Sequence, residues 1–266
     1  MQNVLYVWRD VARRIKASRR VLLLCDYDGT LVPIVDRPEL AELPKRVRQL
    51  LGSLNDQRKF VVGIISGRGL DDLKRRVAIN NIIYAGNHGL EIDSSAINFV
   101  NPVAEEVRPV FRLMSQVLSK AFQHIKGVLV EDKGLTLSVH YRMVPDERLD
   151  DVKTVFEGVI SVAQSLKQVK ITPGKKVYEI RPPVDWDKGK AIDLLIQRLN
   201  NLTGNGETLP IFLGDDRTDE DGFKVINRYG GIPIFVGNEP EDTVARYYLS
   251  SPHEVEEFLN LLGTDI

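Results

Sequence analysis

Two aspartates two residues apart, Asp26 and Asp28, follow directly on the apolar run Val21 to Cys25, and Gly29 and Thr30 come next. A strand buried on both faces of a parallel sheet ends in this way, and ligands of open α/β sheets bind where such strands end. One carboxylate there can attack an electrophile while its neighbour carries a proton. Gly29 permits a sharp turn and Thr30 adds a hydroxyl. Asp and Gly also form ordinary turns, so the chemistry rests on what else converges. Ser66-Gly67 follows the run Phe60 to Ile65, Lys188 opens a helical pattern, and Asp215 follows Leu209 to Leu213. Parallel strands bring all of these ends to one edge. Ser66 and Gly67 then offer a hydroxyl and backbone N–H groups ahead of a helix, which cradle an anion. Lys188 brings a point charge to a phosphoryl oxygen. Asp215, with Asp26 and the backbone of Asp28, makes an oxygen set for Mg2+. Together these groups describe phosphoryl transfer.

The elements that must position them are read from periodicity. Ile82 to Ala85 runs into Gly86-Asn87-His88-Gly89, and Gly231 to Val236 reads as a further strand. Between the strands lie helical stripes: Val4, Trp8, Val11 and Ile15; Val47, Leu50, Leu51 and Leu54; Ala191, Leu194, Leu195 and Ile196. Ser251-Pro252-His253-Glu254 predicts a capped final helix. Strands alternating with helices predict an α/β fold with a Rossmann-like parallel sheet. The rhythm breaks between Asn101 and Pro183, where a helix, two strands, a helix and two strands form an α+β insert. Val103, Val107, Val110, Met114, Leu118 and Phe122 stripe its first helix; Leu149, Val152, Phe156, Val159 and Ala163 stripe its second. Leu135, Leu137, Val139 and Tyr141 alternate with Thr136, Ser138, His140 and Arg142, giving a strand with one apolar and one polar face. The expected organisation is a core of residues 1–100 and 184–266 and a hinged cap of residues 101–183.

The composition excludes several function classes. Across 266 residues, 36 Lys and Arg balance 37 Asp and Glu for a net charge of -1. No global field is available to hold nucleic acid or an acidic membrane. No apolar run approaches the roughly 18 residues of a membrane span. The lone Cys25 can close no intrachain disulfide, and no Cys/His cluster suits zinc, which fits a reducing, cytoplasmic setting.

Asp26-Tyr27-Asp28-Gly29-Thr30, Ser66, Lys188 and Gly214-Asp215-Asp216 resemble, in order, the four motifs of the haloacid dehalogenase superfamily. The resemblance implies an aspartyl-phosphate mechanism with Asp26 as nucleophile and Asp28 as general acid and base. Mg2+ would be held by Asp26, Asp28 and Asp215, with phosphate bound by Ser66, Gly67 and Lys188. Asp216 and Asp219 either cap the following helix or orient the metal site. Finer likeness comes from Leu31-Val32-Pro33-Ile34, Asn87-His88-Gly89, Glu131-Asp132-Lys133-Gly134, His140-Tyr141-Arg142 and Val177-Tyr178-Glu179-Ile180-Arg181-Pro182. These are similar to trehalose-6-phosphate phosphatases, where Tyr27 is often Phe. That likeness implies a sugar phosphate substrate bound by His88 and by a cap clasp of Glu131, Lys133, Arg142 and Glu179, and it leaves room for a functional link to a trehalose-phosphate synthase. Phosphatases of sucrose 6-phosphate or mannosyl-phosphoglycerate share the core chemistry, and a non-catalytic sugar-phosphate sensor is the reading from another class. Arg68 and Lys190 stand between solvated charges and phosphate contacts, and Cys25 reads as buried packing.

Overall fold

Apolar runs that stop at turn residues build the centre of the larger sheet. The structure, a computed structural model, describes residues 1–35, 37–174, 176–203, 208–238 and 242–266. In chain order β1 (Gln2–Asn3) precedes α1 (Trp8–Ala17), β2 (Arg20–Cys25) and α2 (Lys45–Asn55). Then come β3 (Phe60–Ile65), α3 (Leu70–Val77), β4 (Ile83–Gly86), β5 (Glu91–Asp93) and β6 (Asn98–Val100). The middle of the chain forms α4 (Pro102–Phe122), β7 (Leu129–Asp132), β8 (Leu137–His140), α5 (Leu149–Ser165), β9 (Lys170–Gly174) and β10 (Val177–Arg181). Finally α6 (Lys188–Thr203), β11 (Thr208–Gly214), α7 (Glu220–Arg228), β12 (Ile232–Val236), β13 (Tyr247–Leu249) and α8 (Pro252–Asp265) complete it. The described residues divide into two compact units, Met1–Phe99 with Trp186–Ile266, and Val100–Asp185.

The first unit holds a nine-stranded sheet in the order β1-β13-β12-β11-β2-β3-β4-β5-β6. Every pairing from β1 to β4 is parallel, and β5 runs antiparallel to β4. The run Val21 to Cys25 is apolar throughout because both faces of β2 are covered. Val21, Leu23 and Cys25 pack with residues of α1, α2, α3 and α8, whereas Leu22 and Leu24 pack with α6 and α7. At about 1.5–3 kcal/mol for each large apolar side chain, this two-sided burial anchors the strand that carries Asp26 and Asp28. The first stripe resolves into two parts, since Val4 follows the short strand β1 and the helix itself begins at Trp8. At the end of the unit, Ser251 caps α8 by accepting the Glu254 N–H at 3.4 Å, while the Glu254 carboxylate turns to Ser250 N–H and the Asn3 amide.

In the second unit, β7-β8-β10-β9 form a four-stranded antiparallel sheet with α4 and α5 on one face. Asn101 caps α4 by accepting from Val103 and Ala104 N–H, with Pro102 in the first turn. The phase of α4 differs slightly from the periodic reading. Ala104, Phe111, Met114, Leu118 and Phe122 are buried and Val103 is exposed, because a cap residue's neighbour sits before the helical stripe settles onto the sheet. Among the described residues no helix is long and apolar enough to cross a membrane.

Candidate active site

Strand register sets the site. Leu213 of β11 lies opposite Cys25 of β2, Cys25 lies opposite Ile64 of β3, and Ile65 lies opposite Ala85 of β4. The residues that follow these strands, Asp26, Ser66, Asn87 and Asp215, therefore stand along one edge. That edge is the switch point of the sheet, where β3 and β4 lie to one side of β2 and β11 and β12 to the other.

Lys188, the first residue of α6, extends its ammonium to Asp26 Oδ1 and to Asp219 Oδ1, 2.7 Å from each, and all three side chains are buried. Asp219 Oδ2 accepts the backbone N–H groups of Asp215 and Asp216 at 3.1 Å. Asp216 in turn accepts from the Thr218 N–H at 2.8 Å and hydroxyl at 2.6 Å, so reciprocal caps close the loop after β11. The Thr30 hydroxyl donates to Asp215 Oδ1 at 3.4 Å. Asp216 and Asp219 thus cap this loop and tie it down beside Asp215.

The electrostatics of this cluster leave negative charge in excess. Oxygens of Asp26, Asp215 and Asp219 lie within 4.8 Å of one another around a single ammonium. Burial pushes the Asp26 carboxyl well above its usual range; Lys188 opposes this, and Asp219 and Asp215 add to it. Asp215 is pushed up to about 7, first by burial and then by Asp219 and Asp216. Asp219 is pushed up to about 6, chiefly by burial, with Lys188 opposing. For Lys188, burial disfavours the charge, yet Asp219 and Asp26 outweigh it and hold the ammonium protonated. A hard divalent cation offsets such an excess, and the donor set fits one. Gly29, with φ +85, leaves the space: a Cβ there would lie 2.0 Å from Asp215 Oδ2. Asp219 already engages both oxygens, so Asp26 and Asp215 are the carboxylates free to ligate.

Asp28 is placed differently. Its side chain is 39% exposed, against 6% for Asp26. Its carboxylate accepts a bidentate fork from Arg68, with Nε to Oδ2 and Nη2 to Oδ1, both at 2.7 Å. Arg68 is no solvated charge: its side chain is 7% exposed, it donates to Asp72 Oδ2 at 2.9 Å and to the Pro38 carbonyl at 2.9 Å, and its guanidinium lies over the Tyr27 ring at 5.3 Å. Lys190, by contrast, is part-exposed beside Asp187.

Ser66 is buried, and its hydroxyl accepts the Arg68 N–H at 3.2 Å. The neighbouring turn locks onto it, with Asn87 N–H donating to the Arg68 carbonyl and His88 N–H to the Ser66 carbonyl. Asn87 and His88 both adopt left-handed backbone, φ 50 and 57. The His88 ring lies against Gly67, where a Cβ would come within 2.8 Å of it. Cys25 is a free, buried thiol raised above its usual range by burial and by Asp26.

In the second unit, the sheet face away from α4 and α5 carries a row of polar side chains. Glu131, Ser138, Glu179 and Thr172 are register partners across the four strands. The Ser138 hydroxyl donates to Glu179 Oε1 at 2.7 Å, Lys133 Nζ lies 3.4 Å from the same oxygen and 3.9 Å from Glu131, and His140 Nε2 lies 2.9 Å from Glu131 Oε2. Arg142 is not in this row. It is exposed, in the turn beyond β8.

Comparison with known proteins adds to this geometry. The family described as trehalose-phosphatase matches residues 24–253, a span that runs through both units. The chain belongs to the trehalose-phosphatase family. Trehalose 6-phosphate phosphatase RA3 of Zea mays is 38% identical over 260 residues, covering 92% of this chain and 70% of that protein. The solved C-terminal domain of C. albicans trehalose-6-phosphate phosphatase superposes with a TM-score of 0.78 at 26% identity, over 96% of each chain. In fold alone, a haloacid dehalogenase-like hydrolase from Bacteroides thetaiotaomicron is similar at a TM-score of 0.60 and 17% identity, over 91% of this chain and 97% of that one. The trehalose-phosphatase chain is accordingly a phosphomonoester hydrolase built on the haloacid dehalogenase fold, a mostly parallel core sheet with a separate antiparallel sheet. Sequence reasoning did not assign Asp72, and left Arg68 open. The usable signal was their spacing, since Arg68 follows Ser66-Gly67 directly and Asp72 lies one helical turn later.

Proposed function

We propose that this trehalose-phosphatase hydrolyses trehalose 6-phosphate to trehalose and phosphate through a phosphorylated Asp26. The observation that carries the reading is the pairing of a buried Asp26, held by Lys188 at 2.7 Å, with a solvent-reaching Asp28 two residues away on one strand end. Asp26 attacks phosphorus with the oxygen that Lys188 leaves free. The bond from phosphorus to the sugar oxygen breaks as Asp28 gives its proton to that oxygen. Water then attacks the acyl phosphate, its proton passes to Asp28, and the Asp26 carboxylate is restored. Ser66, the Gly67 N–H and Lys188 bind the phosphoryl oxygens. Mg2+, held by Asp26 and Asp215 and oriented through Asp216 and Asp219, would supply charge that offsets the dianion's repulsion from these carboxylates.

Residues 101–183 act in this proposal as the specificity cap and residues 1–100 and 184–266 as the catalytic core. Glu131, Lys133 and Glu179 satisfy one another in a half-buried row, an arrangement that can exchange its internal bonds for sugar hydroxyls at little cost. Arg142 and His88 add contacts from the turn beyond β8 and from the turn beside Gly67.

The test is phosphate release from trehalose 6-phosphate, sucrose 6-phosphate and glucose 6-phosphate, with and without Mg2+, beside Asp26→Asn. Mg2+-dependent release from the trehalose ester, abolished in the variant, is expected. Release from another ester in preference would retain the core chemistry and remove the substrate assignment. Undiminished release by Asp26→Asn would remove the nucleophile.

A further inference from the structure

We propose that Arg68 and Asp72 form a positioning unit for the Asp28 carboxylate. The inference rests on the acid and base role given to Asp28 above. A carboxylate that both donates and recovers a proton must be held in one plane at one distance, and misplacement by about 1 Å can cost on the order of a hundredfold in rate. Asp28 is 39% exposed and nothing in its own turn restrains its rotation, whereas the fork from Arg68 contacts both of its oxygens at 2.7 Å. A fork of this kind takes one lone pair from each oxygen and leaves another on each for the travelling proton.

Arg68 is itself immobilised from every side. Its Nη1 meets Asp72 at 2.9 Å, its Nη2 also meets the Pro38 carbonyl at 2.9 Å, and its flat face lies over Tyr27. Asp72 is braced in turn by Arg76 Nε at 2.7 Å, and Arg76 reaches the carbonyls of Glu39 and Ala41. Tyr27 donates its hydroxyl to the same Ala41 carbonyl at 2.9 Å. The guanidinium is therefore clamped between α3, the 38–41 segment and the nucleophile turn, and the more exposed of its two carboxylate partners is the one that needs aiming. None of these groups touches the Asp26, Lys188 and Asp219 cluster through a hydrogen bond, so the unit acts on Asp28 and not on the nucleophile.

The experiment compares Arg68→Lys, Asp72→Asn, Asp28→Asn and the Asp72→Asn/Asp28→Asn double variant on two esters. One is trehalose 6-phosphate, or the fastest sugar ester if that is not turned over; the other is p-nitrophenyl phosphate, whose leaving group needs no proton and whose pre-steady-state burst of p-nitrophenol reports attack by Asp26 ahead of the water step that both esters share. Arg68→Lys is expected to lower kcat on the sugar ester about tenfold or more and Asp72→Asn about threefold to tenfold. Both should leave the rate of the p-nitrophenol burst within about threefold, and the double variant should match Asp28→Asn alone in kcat on the sugar ester. A p-nitrophenol burst slowed as much as sugar-ester kcat, or a double variant whose losses multiply, would overturn the proposal, as would Asp72→Asn behaving like the parent. Should Arg68→Lys fail to fold, Asp72→Asn still decides, because its side chain is 26% exposed. If Asp28→Asn itself slows the p-nitrophenol burst as much as sugar-ester turnover, the acid and base reading falls and takes this inference with it. If Asp28→Asn discriminates and the other two do not, only this inference falls.

Discussion

The edge of the parallel sheet and the polar face of the antiparallel sheet are built from the same residue types under opposite rules. At the edge, Asp26, Asp219 and Lys188 are buried, locked by backbone N–H groups and neighbouring carboxylates, and left with negative charge to spare. On the face, Glu131, Glu179, Lys133 and His140 are half-buried and mutually satisfied. A preorganised, charge-strained cluster suits one chemical step, whereas a self-paired row can re-pair around different hydroxyl patterns. If the proposed roles hold, chemistry and selectivity are separable by substitutions in the two units.

The largest break in that comparison comes at Lys188. Lys188→Ala leaves Asp26 and Asp219 buried without their cation, and should abolish turnover of every ester while costing about 3–5 kcal/mol of stability, read from denaturant midpoints. Glu131→Ala or Glu179→Ala, on the adaptable face, should instead lower kcat/KM for the disaccharide phosphate about 10–100-fold. Turnover of a small aryl phosphate should stay within about threefold in the same variants. Equal losses on both substrates would merge the two regions into one.

The edge strands show where the sequence was readable and where it was not. β2, β3, β4 and β11 were legible because each is an apolar run that ends abruptly at residues with chemistry, and the insert was legible because its periods switch between helix and strand. β1, β5, β6 and β13 have two or three residues each, too few to show a period, and exist only because a neighbouring strand offers them a ladder. Val103 fitted the helical stripe by spacing but sits at the capped start of α4, before the helix meets the sheet. Asp26, Lys188 and Asp215 were legible as motif residues. The Arg68 fork was not, because its partner lies 40 residues away in the chain and no local spacing reveals a pairing of that kind.

Smaller effects sharpen the same contrast. Burial pushes Asp215 up to about 7 and Asp219 up to about 6, above the range of an unfolded carboxylate. Their folded-state pKa values are raised, so the stability they contribute is full at low pH and lost as pH rises through about 4 to 7. Mg2+ should therefore raise the melting temperature most near pH 8, and its effect should shrink toward pH 5 as protons take over the neutralisation. A shift independent of pH would mean that the cation binds elsewhere. The smallest change is expected at Arg142, exposed in its turn beyond β8. Arg142→Ala should reduce kcat/KM for the disaccharide phosphate by about threefold to tenfold, less than Glu131→Ala, and a loss as large would extend the row past the strand.

One packing contact bears on how such a chain can change over time. Phe99 and Trp186, the last and first residues of the larger unit on either side of Val100–Asp185, stack with ring centroids 5.3 Å apart. The gap that the intervening segment must bridge is thus closed by the larger unit itself. Insertions are tolerated best where the two ends already lie together, because neither side is then pulled apart to admit the new chain. Residues after Val100 and before Trp186 can therefore lengthen or shorten while β6 and α6 keep their places.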